Sequence, residues 1–518
     1  MMRMLALAGV LLLAACGAPE ESAVEAPATT TAVDLVIRGG RVLDGLGTPA
    51  RDADVWIDDG RVLHVAAPDD PAVAGLVADE TIEAQGRIVA PGFVDPHSHG
   101  DPLETPAFEN FLAMGVTTIT LGQDGSSPDT PDLGTWMARV EEQGIGPNLA
   151  LFVGHGTLRE LAGIDREPVP SHVQLETMLG LLDANLDVAF GLSTGLEYNP
   201  GLWAEPEELQ ALARVVGARD RVIMSHVRNE DDDALEASLA ELLRQGEHAR
   251  VHVAHLKSVY GKGAERGREI LGILEDARAR GVRVSADVYP YTASYTGLAL
   301  LFPPWAKTAE QFEEAKAQRY DELADYLRRR VEARNGPEAT LLGTAPHAGK
   351  TLAELATEFE KPFERVLIDD LGPQGGSAAY FIMDDALQAE FVVDPTVSIC
   401  SDGSPTGYHP RGHGTFAHVI ERYVQAEGRL TLAEAVRKMT SLPAAQLGLP
   451  ERGVLAEGRP ADVIVFDPAR VRATATYEAP LRLAEGFDVV IVNGVAARRD
   501  GVLAGGLHGR VLRPPADA

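Results

Sequence analysis

Cysteine is almost missing from this chain: among 518 residues there are two, Cys16 and Cys400. Only Cys400 lies in the body beyond the leader, so no intramolecular disulfide is available there and stability must come from a packed core. No uninterrupted apolar run reaches the ~20 residues that a membrane-crossing helix needs. Basic charge is also scarce. Lys and Arg number 46 against 77 Asp and Glu, a net charge of −31, which excludes nucleic acid or an anionic membrane surface as partners held by simple attraction. The acidity reads as solubility. Aromatic residues are few at 6%, yet hydrophobic residues reach 45%, enough for a globular core.

At the N-terminus, Met1-Met2-Arg3-Met4 precedes an apolar stretch, Leu5 to Ala15, with the length of a secretory leader. Its end, Leu13-Ala14-Ala15-Cys16, resembles a bacterial lipobox. The expectation is a signal peptide over 1–16 ending at a lipidated Cys16, then a disordered tether over 17–32 rich in Ala, Glu, Pro and Thr. Such a chain is an exported bacterial lipoprotein, touching membrane only through its lipid anchor. Gly17 is not the Asp associated with inner-membrane retention, which places the anchor in the outer membrane, facing the periplasm.

Short alternating strands punctuated by Gly and Asp fill the next segment: Asp34–Arg38, Asp54–Ile57 and Arg61–Val65. The same texture returns near the other end in Ala461–Phe466 and Asp488–Gly494. Neither group can close a core alone, so residues 33–91 and 446–515 are expected to pair into one small β-sandwich. The middle, 92–445, alternates apolar strands with helical stretches, as repeated βα units do. Eight strand ends can be read: Phe93–His99, Thr117–Gly122, Leu149–His155, Asp187–Leu196, Arg221–His226, Arg250–His255, Arg283–Tyr289 and Thr396–Asp402. The fold class expected is α/β, a (β/α)8 TIM-like barrel with its active face at the C-terminal strand ends. An open doubly wound sheet would not gather residues from so many strands at one point. About 296–395 is too long for a crossover helix and is expected to be a cap insertion, with Glu310–Arg334 a helix whose charge forms a solvated face.

Those strand ends carry the chemistry. In Asp95-Pro96-His97-Ser98-His99, residues i and i+2 of an extended strand face one side, so His97 and His99 can meet one metal ion. His226 and His255 lie 29 residues apart, about one βα unit, which sets them at one height on neighbouring strands. Four imidazoles at one face suit zinc. Asp402, ending the last strand in Ser401-Asp402-Gly403, can hold a metal-activated water, take its proton and pass it to a leaving nitrogen.

The arrangement resembles the amidohydrolase superfamily, in its D-aminoacylase (N-acyl-D-amino-acid deacylase) branch. Matching stretches are Ala90–His99, Gly154–Arg159, Gly191–Tyr198, Tyr289–Ala293, Ser401–Gly403 and Arg437–Ala444. The resemblance implies that His97 and His99 hold one metal and His226 and His255 the other, with Asp402 as ligand and acid–base. It implies zinc, one or two ions, with other divalent metals possible. Gly122-Gln123-Asp124-Gly125 departs from the family's Gly-Asn-Cys-Gly, whose thiolate completes the site. Glu197 is the preferred replacement for its greater reach, and Asp124, at the cysteine's own position, is the alternative bridging ligand. Lys257, Tyr289 and Arg411 match the groups that hold the substrate's carboxylate. The implied activity is metal-dependent hydrolysis of an amide C–N bond in a small N-acyl-(D-)amino acid. The alternatives are a cyclic-amide hydrolase of hydantoinase or dihydroorotase type, and a lipoprotein that binds metal or ligand without turnover.

Overall fold

The computed structural model describes residues 30–449 and 451–515. The expected leader ending at Cys16, and the expected tether up to residue 29, lie outside the described residues. Thr31 and Ala32, expected in the tether, are instead paired with Leu76 and Val77.

Nine strands from both ends of the chain form one sheet. Its first strand, Thr31–Val42, pairs antiparallel with Arg51–Asp58 and parallel with Leu76–Glu83. Side-chain alternation sends Leu35 and Ile37 into one apolar cluster and Val36 into another. The seam is Ile88–Pro91, which pairs parallel with Arg41 and Val42 and antiparallel with Val463–Phe466. Leu35, Ile37, Val55, Val463 and Ile491 share one cluster, so residues from both ends build a common core. The chain leaves this sheet through Gly92 straight into the strand that carries His97. A Cβ on Gly92 would sit 2.1 Å from Thr117 Oγ1, so only glycine lets the two strands lie this close.

Eight parallel strands follow: Phe93–Asp95, Val116–Leu121, Asn148–Leu151 continued by Val153–Gly154, Gly191–Gly195, Val222–His226, Arg250–Val253, Val284–Val288 and Val397–Ile399. Each lies inside or within one residue of its expected range, and most expected ranges ran on into the loop that carries the polar residues. Strands one to three are one ladder and the rest another, but the break is only Phe152, whose N–H donates to Leu121 O at 2.9 Å. The first and last strands also meet: Asp402 N–H donates to His97 O, and His99 N–H to Gly403 O, each at 2.8 Å. Val116–Leu121, Gly191–Gly195 and Val222–His226 are buried throughout, as parallel strands covered on both faces must be.

Between strands seven and eight lies a three-stranded antiparallel sheet, Ala293–Gly297, Ser377–Phe381 and Thr340–Leu342. It carries its own apolar cluster, including Leu301, Phe302, Leu327 and Val366. The single helix expected over Glu310–Arg334 is two, Ala309–Gln318 and Tyr320–Ala333. They break at Arg319, whose guanidinium lies 3.7 Å from the Trp305 ring centroid and pairs with Glu322. Nor is the charge of this stretch all solvated: Arg330 pairs with Asp231 at 3.3 Å, and Arg334 is 2% exposed. The helix Asp385–Val393, expected within the cap, packs against Gly263–Ala279 among the helices of the parallel sheet.

Candidate metal centre

Seven of the eight parallel strands end in a polar side chain that lines one cavity or, for His97 and Tyr289, is buried beside residues that line it. His97 follows the first strand, Asp124 the second, Glu197 the fourth, His226 ends the fifth, His255 and Lys257 follow the sixth, Tyr289 the seventh and Asp402 the eighth. Three of these, Asp124, His255 and Asp402, adopt left-handed backbone, with φ of 52°, 36° and 49°. Such conformations cost energy for non-glycine residues and persist only where the surroundings enforce them. For Asp124 the enforcement is Gly122, at φ 81°, where a Cβ would meet Phe152 O at 2.1 Å. For His255 it is the buried Asp287 carboxylate, which accepts the His255 N–H with one oxygen and faces His252 Nε2 at 2.9 Å with the other. Asp95 braces the first and last strand ends together, accepting from His97 N–H and Ser401 N–H at 3.2 and 3.0 Å.

His97, Asp124, His255 and Asp402 offer ligand atoms that all lie within 4.8 Å of one another. Asp124 Oδ1 is 3.2 Å from His255 Nε2 and 3.4 Å from His97 Nε2, and its Oδ2 is 3.5 Å from His99 Nε2. Asp402 Oδ1 is 3.1 Å from His99 Nε2 and 3.6 Å from His97 Nε2. A second group within the same span is His226, Glu230 and His255. Both nitrogens of His97 are buried without a hydrogen-bond partner, an expense that a metal ligand repays and a core histidine does not. Nitrogen and carboxylate donors this close fit a zinc ion or a pair of them.

The two carboxylates weighed for the thiolate's place stand differently toward the histidines. Glu197 touches only His226, 3.2 Å from Nε2, and belongs to neither group, whereas Asp124 faces all four histidines. Reach along the strand favoured Glu197; the sharp turn at Gly122 gives Asp124 the central place instead. Glu230 was not anticipated. It stands four residues beyond His226, at 3.3 Å from His255 Nδ1 and 2.7 Å from Lys257 Nζ, and that spacing was its only trace in the sequence.

Charge is closely balanced here. Burial opposes ionisation of Asp124 and Asp402, but His97 and His255 beside the first, and Arg411 beside the second, hold both carboxyls well below their usual range. Burial and Lys257 push His255 down, yet Asp402 and Asp124 outweigh them and raise it to about 10. A cation is thus favoured at this point, and a metal ion and a proton compete for His255. Lys257, Tyr289 and Arg411 do converge. Lys257 Nζ lies 5.6 Å and Arg411 Cζ 5.0 Å from the Tyr289 ring centroid, and Arg411 Nη1 is 2.6 Å from Asp402 Oδ2. The cavity above them measures about 450 Å³, the size of a small-molecule site.

A parallel α/β sheet with this buried His and Asp centre at its C-terminal strand ends defines a metal-dependent amidohydrolase. A model of the amidohydrolase family matches residues 366–497. The N-acyl-D-glutamate deacylase of Alcaligenes xylosoxydans xylosoxydans is 35% identical over 494 residues, 90% of this chain and 93% of that protein. The crystal structure of N-acyl-D-glutamate deacylase from Bordetella bronchiseptica, complexed with zinc and a phosphonate mimic of the tetrahedral intermediate, is 32% identical. It has a TM-score of 0.82 and covers 93% of this chain and 100% of its own. A D-aminoacylase structure described for its binuclear metal centre, with one-metal activation and second-metal attenuation, has a TM-score of 0.80 at 30% identity, covering 93% and 100%. The chain belongs to the amidohydrolase family, in its D-aminoacylase and N-acyl-D-amino-acid deacylase branch.

Proposed function

We propose that this chain is a zinc-dependent deacylase of N-acyl-D-amino acids, with Asp402 as acid–base. The observation that carries the reading is the cluster of His97, Asp124, His255 and Asp402, the last three of which line the cavity, in a chain of this family. We assign His97, His99, His226, His255 and Asp402 as the residues that would hold the metal, with Asp124 rather than Glu197 as the carboxylate that would complete the site. Zinc bound there would lower the pKa of a water toward neutrality and would itself polarise the scissile carbonyl.

The chain's own groups do the rest. Asp402 is kept ionised by Arg411, so it accepts a proton from the attacking water and passes it to the departing amine nitrogen. Tyr289, which burial raises to about 12, stays protonated and donates a hydrogen bond to the substrate's carboxylate. Lys257 and Arg411 flank that phenol and supply the positive field. A cyclic amide has no free carboxylate for these three to meet, which argues against a hydantoinase-like substrate.

The same reading covers the architecture. Backbone bonds between His97 and Asp402 and across Phe152 support a closed (β/α)8 barrel, and the shared apolar cluster of the terminal strands supports a β-sandwich of 33–91 and 446–515. The cap is placed at 293–383, since Asp385–Val393 packs with the barrel's helices. Export, lipidation at Cys16 and an outer-membrane anchor remain part of the proposal; no helix among the described residues is long and apolar enough to cross a membrane. Replacing Cys16 by Ala is expected to abolish incorporation of labelled palmitate.

The function is tested with N-acetyl-D- and N-acetyl-L-amino acids on protein stripped of metal and reloaded with zinc, beside Asp402→Asn. Zinc-dependent release of the D-amino acid, reduced at least ~1,000-fold in the variant, is the expected result. Turnover that ignores chelation would overturn it.

A further inference from the structure

The cap brings to the cavity a cation, Arg334, that forms no ion pair among the described residues. Arg334 directly follows the helix Tyr320–Ala333 and lines the same cavity as Asp124, His226 and Asp402. It is 2% exposed, and its Nε has no hydrogen-bond partner. Its guanidinium lies 5.0 Å from the Tyr380 ring centroid. Asp231, on the same wall, is engaged by Arg330 at 3.3 Å. Glu197 faces His226 and feels the charges of Lys307 and Arg330. Of the other acids lining this part of the cavity, Glu230 is likewise engaged, by Lys257 at 2.7 Å.

A helix C-terminus favours a cation, and an aromatic face favours a guanidinium. Both explain an arginine at the surface. Neither explains why this one is withdrawn from water into the wall of a substrate cavity, where an unpaired charge is costly. A guanidinium presents donors in a planar fork matched to a carboxylate. The hydroxyl of Tyr380 is also buried without a partner, while the Tyr260 hydroxyl lies against Arg334 itself.

We infer that Arg334 is a specificity residue that receives a second carboxylate of the substrate, one remote from the scissile amide. The inference rests on the deacylase reading and narrows it: the preferred substrate is an N-acyl amino acid bearing two carboxylates. The second carboxylate comes either from the amino acid's side chain or from the far end of a dicarboxylic acyl group.

The test compares kcat/KM for N-acetyl-D-glutamate, N-succinyl-D-alanine and the neutral-tailed N-acetyl-D-glutamine in the zinc-loaded wild type, Arg334→Met and Arg334→Lys. One of the two dianionic substrates is expected to lead N-acetyl-D-glutamine by at least ~10-fold in the wild type and to fall at least ~30-fold in Arg334→Met, with N-acetyl-D-glutamine within about 3-fold. Which of the two falls identifies the source of the carboxylate. Arg334→Lys keeps the charge without the fork and is expected to fall between, and it decides the question if Arg334→Met does not fold. An equal loss on all three substrates, or no loss on the dianionic ones, overturns the inference. Calorimetric binding of glutarate separates the two readings. Arg334-dependent binding without turnover of any N-acyl amino acid leaves the anion site standing and removes the deacylase; turnover with glutarate binding indifferent to Arg334 does the reverse.

Discussion

Arg411 and Asp402 are joined by a 2.6 Å contact between Nη1 and Oδ2, while the other Asp402 oxygen faces His99 at 3.1 Å. The arginine therefore fixes the orientation of the Asp402 carboxylate as well as its charge. Arg411→Met is expected to lower kcat/KM by about 100-fold, the scale of losing one partner of a buried charged pair. Its absence also removes the cation that holds Asp402 low, so the acid limb of the pH profile is expected to move upward toward neutrality. A limb that stays in place while the rate falls would assign Arg411 to substrate binding alone.

Asp124 and Glu197 compete for one role, and metal content distinguishes them. Asp124→Ala is expected to weaken zinc retention by at least ~100-fold, more than loss of a supporting group usually does, whereas Glu197→Gln changes it by less than about 3-fold. Asp124→Cys places a thiolate where the family has one and is expected to retain zinc. Atomic absorption after dialysis against graded chelator gives the answer, and equal losses in Asp124→Ala and Glu197→Gln would return Glu197 to the centre.

Glu208 makes a stability prediction away from the metal. It is buried between His155 Nε2, at 2.7 Å, and Arg159 Nη1, at 2.5 Å. Burial opposes its charge, but these two partners hold the carboxyl below its ordinary value. A carboxylate lowered on folding contributes stability that is full above its unfolded pKa and is lost as pH falls through the folded one. Glu208→Gln is expected to cost about 3 kcal/mol at pH 7, because Arg159 stays buried without its counter-charge. Urea unfolding should show the gap narrowing as pH falls below the ordinary glutamate value.

Gly122→Ala tests the turn that aims Asp124. The new Cβ would lie 2.1 Å from Phe152 O on a backbone at φ 81°, and the expected loss is about 3 kcal/mol from left-handed strain and the clash together. Thermal unfolding and zinc retention should fall together; a stable variant with unchanged zinc would mean that the turn does not set the position of Asp124.

The strands and the histidines were legible because their signals are periodic and local: apolar runs ending in polar residues, and an i, i+2 pair that a strand must bring to one side. Asp402 was legible for the same reason. The central position of Asp124 was not, since it depends on where a glycine turn throws the chain after the strand, which side-chain length does not show. Glu230 was hidden because a lone glutamate in Arg228-Asn229-Glu230 has no pattern. Arg334 was read as part of a solvated face, because helix periodicity shows which residues share a side and not what that side meets across the fold.

The seam strand Ile88–Pro91 has one neighbour made of residues close to it in sequence and another, Val463–Phe466, that follows about 370 residues later. The strand bearing His97 grows directly from that seam. During synthesis, one edge of the seam stays open until nearly the whole chain has left the ribosome, and an open edge pairs with whatever strand it meets. Order of translation and order of assembly are thereby uncoupled. A prematurely terminated chain would contain every residue of the metal centre and still leave its first strand rooted in a half-built sheet.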